Sequence, residues 1–138
     1  MTYEHGKEIL VRYEYLHLPT EKQFGIAEKI RKAEAKNCFI SDITLAELYY
    51  GASKSGQKEK KMQGVKDVEE LFPVLSIHQV LETFADIKTN LNSQGMLLDD
   101  FDLLIGATTV TYGLIMVTDN VKHFSRIPNI QIENWVKR

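Results

Sequence analysis

The sequence lacks most of the features that would assign it to a special class of protein. Its single cysteine, Cys38, excludes an internal disulfide and a zinc-finger framework. The net charge of −2 excludes a general affinity for nucleic acid, so any such contact must depend on local patches. No apolar run is long enough to cross a bilayer and no signal-peptide core opens the chain, so we expect a cytoplasmic protein. The remaining composition, 43% apolar and 26% charged, is typical of a globular protein, and the length of 138 residues predicts one domain over 1–138.

Short apolar runs alternate along the chain with longer amphipathic stretches. The apolar runs, which we predict to be strands, span 8–16, 37–41, 73–77, 114–118 and 129–132. The predicted helices span 25–36, 42–53, 57–72, 79–92 and 100–112, with Ser41 or Asp42 and Asp99 or Asp100 as N-caps and Gly95 and Gly113 as stops. This alternation predicts right-handed crossovers, and hence a three-layer α/β/α domain with a mostly parallel sheet.

Three carboxylates lie where acidic residues are uncommon. Glu47 interrupts an apolar helical run, Asp102 begins another, and Asp119 directly follows the strand 114–118. Each has an ordinary interpretation: a solvated helix face for Glu47, a first-turn residue for Asp102 and a turn residue for Asp119. Carboxylates are rarely buried without a partner or a cation, and parallel sheets form sites beyond the carboxyl ends of their strands. We therefore predict that the three acids converge on one divalent ion at that edge.

An oxygen-rich site of this kind favours Mg²⁺ or Mn²⁺. Such an ion lowers the pKa of bound water and neutralises phosphodiester charge, so the three acids predict phosphodiester hydrolysis. Lys122, His123 and Arg126 follow on a predicted helical turn and are candidates for phosphate contacts, although a solvated basic edge explains them equally well. The four histidines show no metal-pair spacing, and we interpret each as a surface or packing residue.

Three motifs occur in a family-specific order and spacing. They are FISDITLAELYYGASKS at 39–55, DFDLLIGA at 100–107 and VTDNVKHFSRIP at 117–128. From about residue 24 onward, the chain resembles the PIN-domain ribonucleases, specifically the VapC-type toxins of toxin–antitoxin pairs. The resemblance implies a PIN-like fold and assigns Glu47, Asp102 and Asp119 to the family's second, third and fourth acids. It further implies a Mg²⁺- or Mn²⁺-dependent endoribonuclease that acts on RNA, is neutralised by a cognate VapB-type antitoxin and forms a homodimer.

The chain departs from the family at its start, so that 1–23 is atypical. The family's first strand delivers a first catalytic acid, and the matching position here is Arg12. If one base is skipped, codons for Glu8 to Gln23 can be chosen that encode Lys-Tyr-Leu-Phe-Asp-Thr-Asn-Ile-Cys-Ile-Tyr-Leu-Leu-Lys-Asn, a start typical of the family. We therefore hypothesise that this segment is read in a shifted frame, and codons incompatible with the alternate reading would refute it.

An arginine at the first-acid position has a structural consequence. It would repel the metal that a carboxylate should hold. We predict that the N-terminal segment is either displaced from the sheet or places Arg12 near the acids, where it substitutes for the metal as counter-charge.

Two functions are compatible with the sequence. The first is an active toxin ribonuclease that uses the three remaining acids. The second is a catalytically impaired PIN-fold protein that retains antitoxin or RNA binding. A receiver-like phospho-signalling domain is set aside, because the chain lacks an acidic pair after the first strand and a lysine after the last.

Overall fold

A computed structural model describes residues 8–12 and 37–134 of the chain. The strands within those ranges are β1 Ile9–Val11, β2 Cys38–Ser41, β3 Val74–Leu75, β4 Ile115–Val117 and β5 Gln131–Glu133. The helices are α1 Asp42–Ser53, α2 Lys58–Leu71, α3 Leu81–Ser93, α4 Asp100–Thr111 and α5 Val121–Phe124, with a 3-10 helix at Ile77–Val80 before α3.

The five strands form one parallel sheet in the order β3-β2-β1-β4-β5. Strand β1 is central, with Ile9 paired to Cys38 on one side and to Ile115 on the other. Its last residue, Val11, pairs with Val117, so the chain leaves β1 and β4 at the same edge. This topology confirms the predicted α/β fold with its parallel sheet.

Helices cover both faces of the sheet, as the three-layer prediction requires. Successive side chains of a strand point to opposite faces, and Ile9 and Leu10 accordingly belong to two separate cores. One core joins the sheet to α1 and α2, and its buried helical members are Leu45, Leu48, Ala52 and Val65. The other joins the sheet to α3, α4 and α5, with Ile87, Leu91, Leu103, Ile105, Ala107 and Phe124.

The predicted helix ends are confirmed where a local cap determines them. Ser41 caps α1, because its hydroxyl accepts from the backbone N–H groups of Ile43 and Thr44. Gly95 and Gly113 follow α3 and α4 with φ of 71° and 66°, which glycine adopts at little cost.

Two predicted strands are shorter in the structure. The run 73–77 pairs only at Val74 and Leu75, because Ser76 then caps the 3-10 helix by accepting from His78 N–H. The run 8–16 forms a strand over Ile9–Val11 only, and its positions beyond 12 lie outside the described residues, as does the predicted helix 25–36.

Helix α4 approaches the segment after α5 closely. A β-carbon added at Gly106 would collide with the side chain of Ile127, which is itself buried. The absence of a side chain at Gly106 therefore allows α4, and Asp102 at its start, to lie against this part of the chain. None of the helices in the described part of the chain is long and apolar enough to span a bilayer.

Candidate acidic site at the carboxyl edge of the sheet

The first turn of α4 carries three aspartates with three different roles. Asp99 is the N-cap, and its carboxylate accepts from Phe101 N–H at 2.8 Å. Asp100 forms an exposed ion pair with Lys88 at 2.9 Å. Asp102 instead points towards the sheet and is only 22% exposed. The capping interpretation therefore explains Asp99, while Asp102 has a partner elsewhere in the fold.

That partner is Arg12, the residue that follows the central strand. A guanidinium nitrogen of Arg12 donates to Asp102 Oδ1 at 3.1 Å, and the arginine side chain is 7% exposed. The segment 9–12 is thus not displaced from the sheet. Of the two predicted outcomes, the structure confirms the second, in which Arg12 is the counter-charge of an acid at the carboxyl edge.

Helix α5 supplies the remaining contacts of this pair. His123 Nε2 lies 3.0 Å from Asp102 Oδ2, so both oxygens of the carboxylate are engaged. The guanidinium carbon of Arg12 lies 4.6 Å from the centre of the Phe124 ring, within cation–π range. The rings of His123 and Phe124 meet edge to face at 5.0 Å.

Glu47 and Asp119 lie on the elements that begin at the same edge. Glu47 is on α1, which starts directly after β2, and is half-buried. Asp119 lies in the turn between β4 and α5, which is held by the hydrogen bond from Asn120 N–H to Thr118 Oγ1 at 3.0 Å. That these two acids share one ion with Asp102 stays a prediction.

The side chains as they are arranged do not fit a divalent ion at Asp102. Its two oxygens face a guanidinium and an imidazole, and a guanidinium beside the carboxylate repels a metal ion. Within residues 8–12 and 37–134, no group of three or more histidine, cysteine, aspartate or glutamate side chains is placed to hold a metal.

The three residues predicted to contact phosphate occupy different settings. Lys122 is exposed on α5. Arg126 is also exposed and donates to the carbonyl of Leu97 at 3.3 Å. His123 is partly buried and contacts Asp102, so its interpretation as a surface or packing residue was incomplete.

Sequence reasoning did not identify Phe124 as part of the site. A phenylalanine five residues after Asp119 reads as a core residue, and Phe124 is indeed fully buried. The one signal in the sequence was that His123 and Phe124 are neighbours on a predicted helical turn. Two such residues can reach a carboxylate and its cation together, as His123 reaches Asp102 and Phe124 reaches Arg12.

The chain is similar to known proteins along most of its length. The PIN domain family model matches residues 11–130. Ribonuclease VapC2 of Haemophilus influenzae is 35% identical over 122 residues, which are 88% of this chain and 92% of that protein. The tRNA(fMet)-specific endonuclease VapC of Shigella flexneri is 31% identical over 115 residues, 83% of this chain and 86% of that protein. The structure of DNA-bound VapBC from Salmonella typhimurium superposes with a TM-score of 0.82 at 28% identity, covering 94% of this chain and 98% of that one.

Proposed function

We propose that this chain, which belongs to the PIN-domain family and within it to the VapC ribonucleases, is a toxin that hydrolyses RNA phosphodiester bonds. A cognate VapB-type antitoxin neutralises it, and both act in the cytoplasm. The observation that carries the proposal is the position of Asp102. It lies at the carboxyl end of the central parallel strand, where sheets of this kind place their sites.

The proposed cofactor is Mg²⁺ or Mn²⁺, since VapC nucleases of the PIN family are generally dependent on divalent metal. Asp102, Asp119 and Glu47 are the proposed catalytic acids and ligands. Their support is that all three lie on elements that begin at the carboxyl edge of the sheet. Because Arg12 now binds Asp102, we expect this chain to bind the ion more weakly than a PIN domain with an acid at that position.

The proposed RNA-binding surface is α5 and the turn that follows it. Lys122 on α5 and Arg126 two residues beyond it offer exposed positive charge, and His123, which contacts Asp102, presents a partly exposed ring. A local patch of this kind is required because the net charge of the whole chain is −2.

A cleft between α1 and α2 is the surface to which we propose that the antitoxin binds. Its volume is about 560 Å³, and its lining combines apolar side chains with two lysines; it includes Leu48, Ala52, Val65, Val68, Lys60 and Lys61. We expect it to receive an apolar segment of the antitoxin that carries acidic residues. Gly51 opens onto the cleft with nothing within 4 Å of an added β-carbon. Gly51→Trp should prevent co-purification with the antitoxin, whereas Gly51→Ala, the matched control, should not.

Homodimerisation is the last part of the proposal. Leu97 and Phe101 are 73% and 47% exposed, and Phe101 precedes Asp102 in the chain. Exposed apolar side chains of this size are typical of protein interfaces. Light scattering of the purified chain should give twice the monomer mass, and Phe101→Glu should reduce it towards 15.9 kDa.

The test of the proposed function is RNA cleavage by the antitoxin-free chain. With bulk tRNA and ribosomal RNA in Mn²⁺ or Mg²⁺, we expect slow endonucleolytic cleavage that a chelator abolishes. Asp102→Asn should abolish it as well, whereas Asp100→Asn, which removes only an exposed ion pair, should retain it. The proposal fails if neither the wild type nor Arg12→Asp cleaves RNA under any of these conditions.

The ion pair between Arg12 and Asp102 specifically favours a second function, a PIN-fold protein that binds antitoxin or RNA without cleaving. The two functions differ in the behaviour of the wild type. A wild type that binds antitoxin but never cleaves, beside an Arg12→Asp variant that does cleave, would establish the second function.

A further inference from the structure

The guanidinium of Arg12 contacts both an acid and an aromatic ring. Asp102 Oδ1 accepts its hydrogen bond at 3.1 Å, and the face of the Phe124 ring lies 4.6 Å from its central carbon. The side chain is 7% exposed, and Phe124 is fully buried. A planar, weakly hydrated cation is suited to such a position, because it stacks on an aromatic face and donates in its own plane.

Asp102 is itself fixed in place by α5. His123 binds the second carboxylate oxygen at 3.0 Å, and its ring contacts Phe124 edge to face. One turn of helix therefore orients the carboxylate and also supplies the aromatic face. The carboxylate of Asp102 and the ring of Phe124 thus offer a guanidinium group an acceptor and an aromatic face, and His123 contacts both.

We propose that Asp102, His123 and Phe124 form a guanidinium-binding site, which Arg12 of the same chain fills in place of a divalent ion. The site takes cations of the guanidinium class in competition with metal ions. This inference goes beyond the proposed function, since it concerns which cation the site holds and stands whether or not the chain cleaves RNA.

The site belongs to the fold and not to Arg12 alone. Asp102, His123 and Phe124 are all supplied by α4 and α5, whereas Arg12 enters from β1. Removing the arginine side chain should therefore empty the site and leave Asp102, His123 and Phe124 in place. A small guanidinium compound from solution should then enter it, and so should a divalent ion, each at the expense of the other.

Metal binding by the purified, chelator-treated chain tests the first half of the proposal. Free Mn²⁺ is followed by electron paramagnetic resonance in wild type, Arg12→Ala and Arg12→Asp. We expect binding tighter than in the wild type by on the order of tenfold in Arg12→Ala, and tighter again in Arg12→Asp, because a positive charge is first removed and then replaced by a ligand. Lys88→Ala is the matched control. It removes the exposed ion pair between Lys88 Nζ and Asp100 Oδ1, which are 2.9 Å apart, and Asp100 lies two residues before Asp102. This variant should leave Mn²⁺ binding unchanged.

Competition by methylguanidinium at millimolar concentration tests the second half. It should displace Mn²⁺ from Arg12→Ala and raise the melting temperature of that variant, with no effect on the wild type, whose pocket is filled. Arg12→Gln, which keeps the first three side-chain carbons and a polar end without the charge, gives the same Mn²⁺ measurement if Arg12→Ala does not fold.

Equal Mn²⁺ affinity in wild type, Arg12→Ala and Arg12→Gln would overturn the proposal, and so would a methylguanidinium effect of the same size in the wild type. A different result separates it from the proposed function. If Arg12→Asp gains Mn²⁺ but no variant cleaves RNA, the guanidinium site stands and the ribonuclease proposal falls.

Discussion

At the scale of single residues, the central feature is a buried cation beside a carboxylate. A guanidinium removed from water needs a counter-charge, since desolvation of an isolated ion is costly. Arg12 obtains one from Asp102, and the remaining oxygen of Asp102 is bound by His123. The acid that the family resemblance assigns to a metal site is here the anionic half of an ion pair, which is a structural role available without any metal.

The ion pair between Arg12 and Asp102 should contribute to the stability of the chain. Asp102→Asn removes a negative charge from a buried guanidinium, and we expect it to lower the free energy of unfolding by about 3 kcal/mol. Asp100→Asn breaks an exposed pair with Lys88 and should cost less than about 1 kcal/mol. Urea denaturation of both variants measures the difference, and equal losses would show that the Arg12–Asp102 pair contributes no more than a surface pair.

The single cysteine gives a residue-scale prediction for the sheet. Burial in β2 raises the pKa of the Cys38 thiol from 9.0 to about 11. Because the thiolate is the reactive form, its fraction at pH 8 falls by roughly a hundredfold. A chromogenic disulfide reagent should label native Cys38 at least that much more slowly than the urea-unfolded chain. Similar rates in the two states would mean that β2 opens readily.

At the scale of elements, the position of Asp102 depends on how closely α4 packs. Gly106→Ala introduces a β-carbon against buried Ile127 and should destabilise the chain by about 1–3 kcal/mol. Gly64→Ala is the matched control, because Gly64 lies inside α2 with nothing within 4 Å of an added β-carbon. It should stabilise by about 0.5–1 kcal/mol through helix propensity. Thermal unfolding measures both, and shifts of the same sign would contradict the packing described for α4.

Element boundaries were predictable where a local interaction sets them. Ser41 and Asp99 cap helices through their own first turns, and Gly95 and Gly113 end helices through their own φ angles. Such signals involve residues two to five positions apart, so the sequence displays them directly.

Contacts between distant elements were predictable only in part. The contact of Arg12 with Asp102 was predictable from two sources. The family resemblance aligns Arg12 with the first catalytic acid, and the parallel sheet brings the carboxyl ends of its strands to one edge. The contacts of His123 and Phe124 depend on how the four-residue helix α5 is turned, and no periodicity in so short an element encodes its orientation. That Glu47 and Asp119 share an ion with Asp102 depends on contacts between distant elements and stays a prediction.

At the scale of the whole molecule, the fold keeps its central strand despite the unusual start of the chain. Three apolar residues, Ile9, Leu10 and Val11, are fully buried and pair with β2 and β4. A shifted reading frame that encodes an aspartate at position 12 would place that acid directly after the same strand. The nucleotide sequence of the gene decides this hypothesis: it stands if the shifted codons encode Asp-Thr-Asn after an apolar run, and falls if they do not.

The most direct test of whether Arg12 fills the site of the ion uses crystals of wild type and Arg12→Asp. Both are soaked in Mn²⁺, and diffraction is recorded at a wavelength where manganese scatters anomalously. At an Mn²⁺ concentration that fills the site of Arg12→Asp, we expect no manganese peak on the Asp102 carboxylate of the wild type, with Arg12 in its place against Phe124. In Arg12→Asp we expect a strong peak that contacts Asp102 and Asp119. A manganese peak on Asp102 in the wild type, with Arg12 turned away, would contradict the claim that this arginine fills the site of the ion.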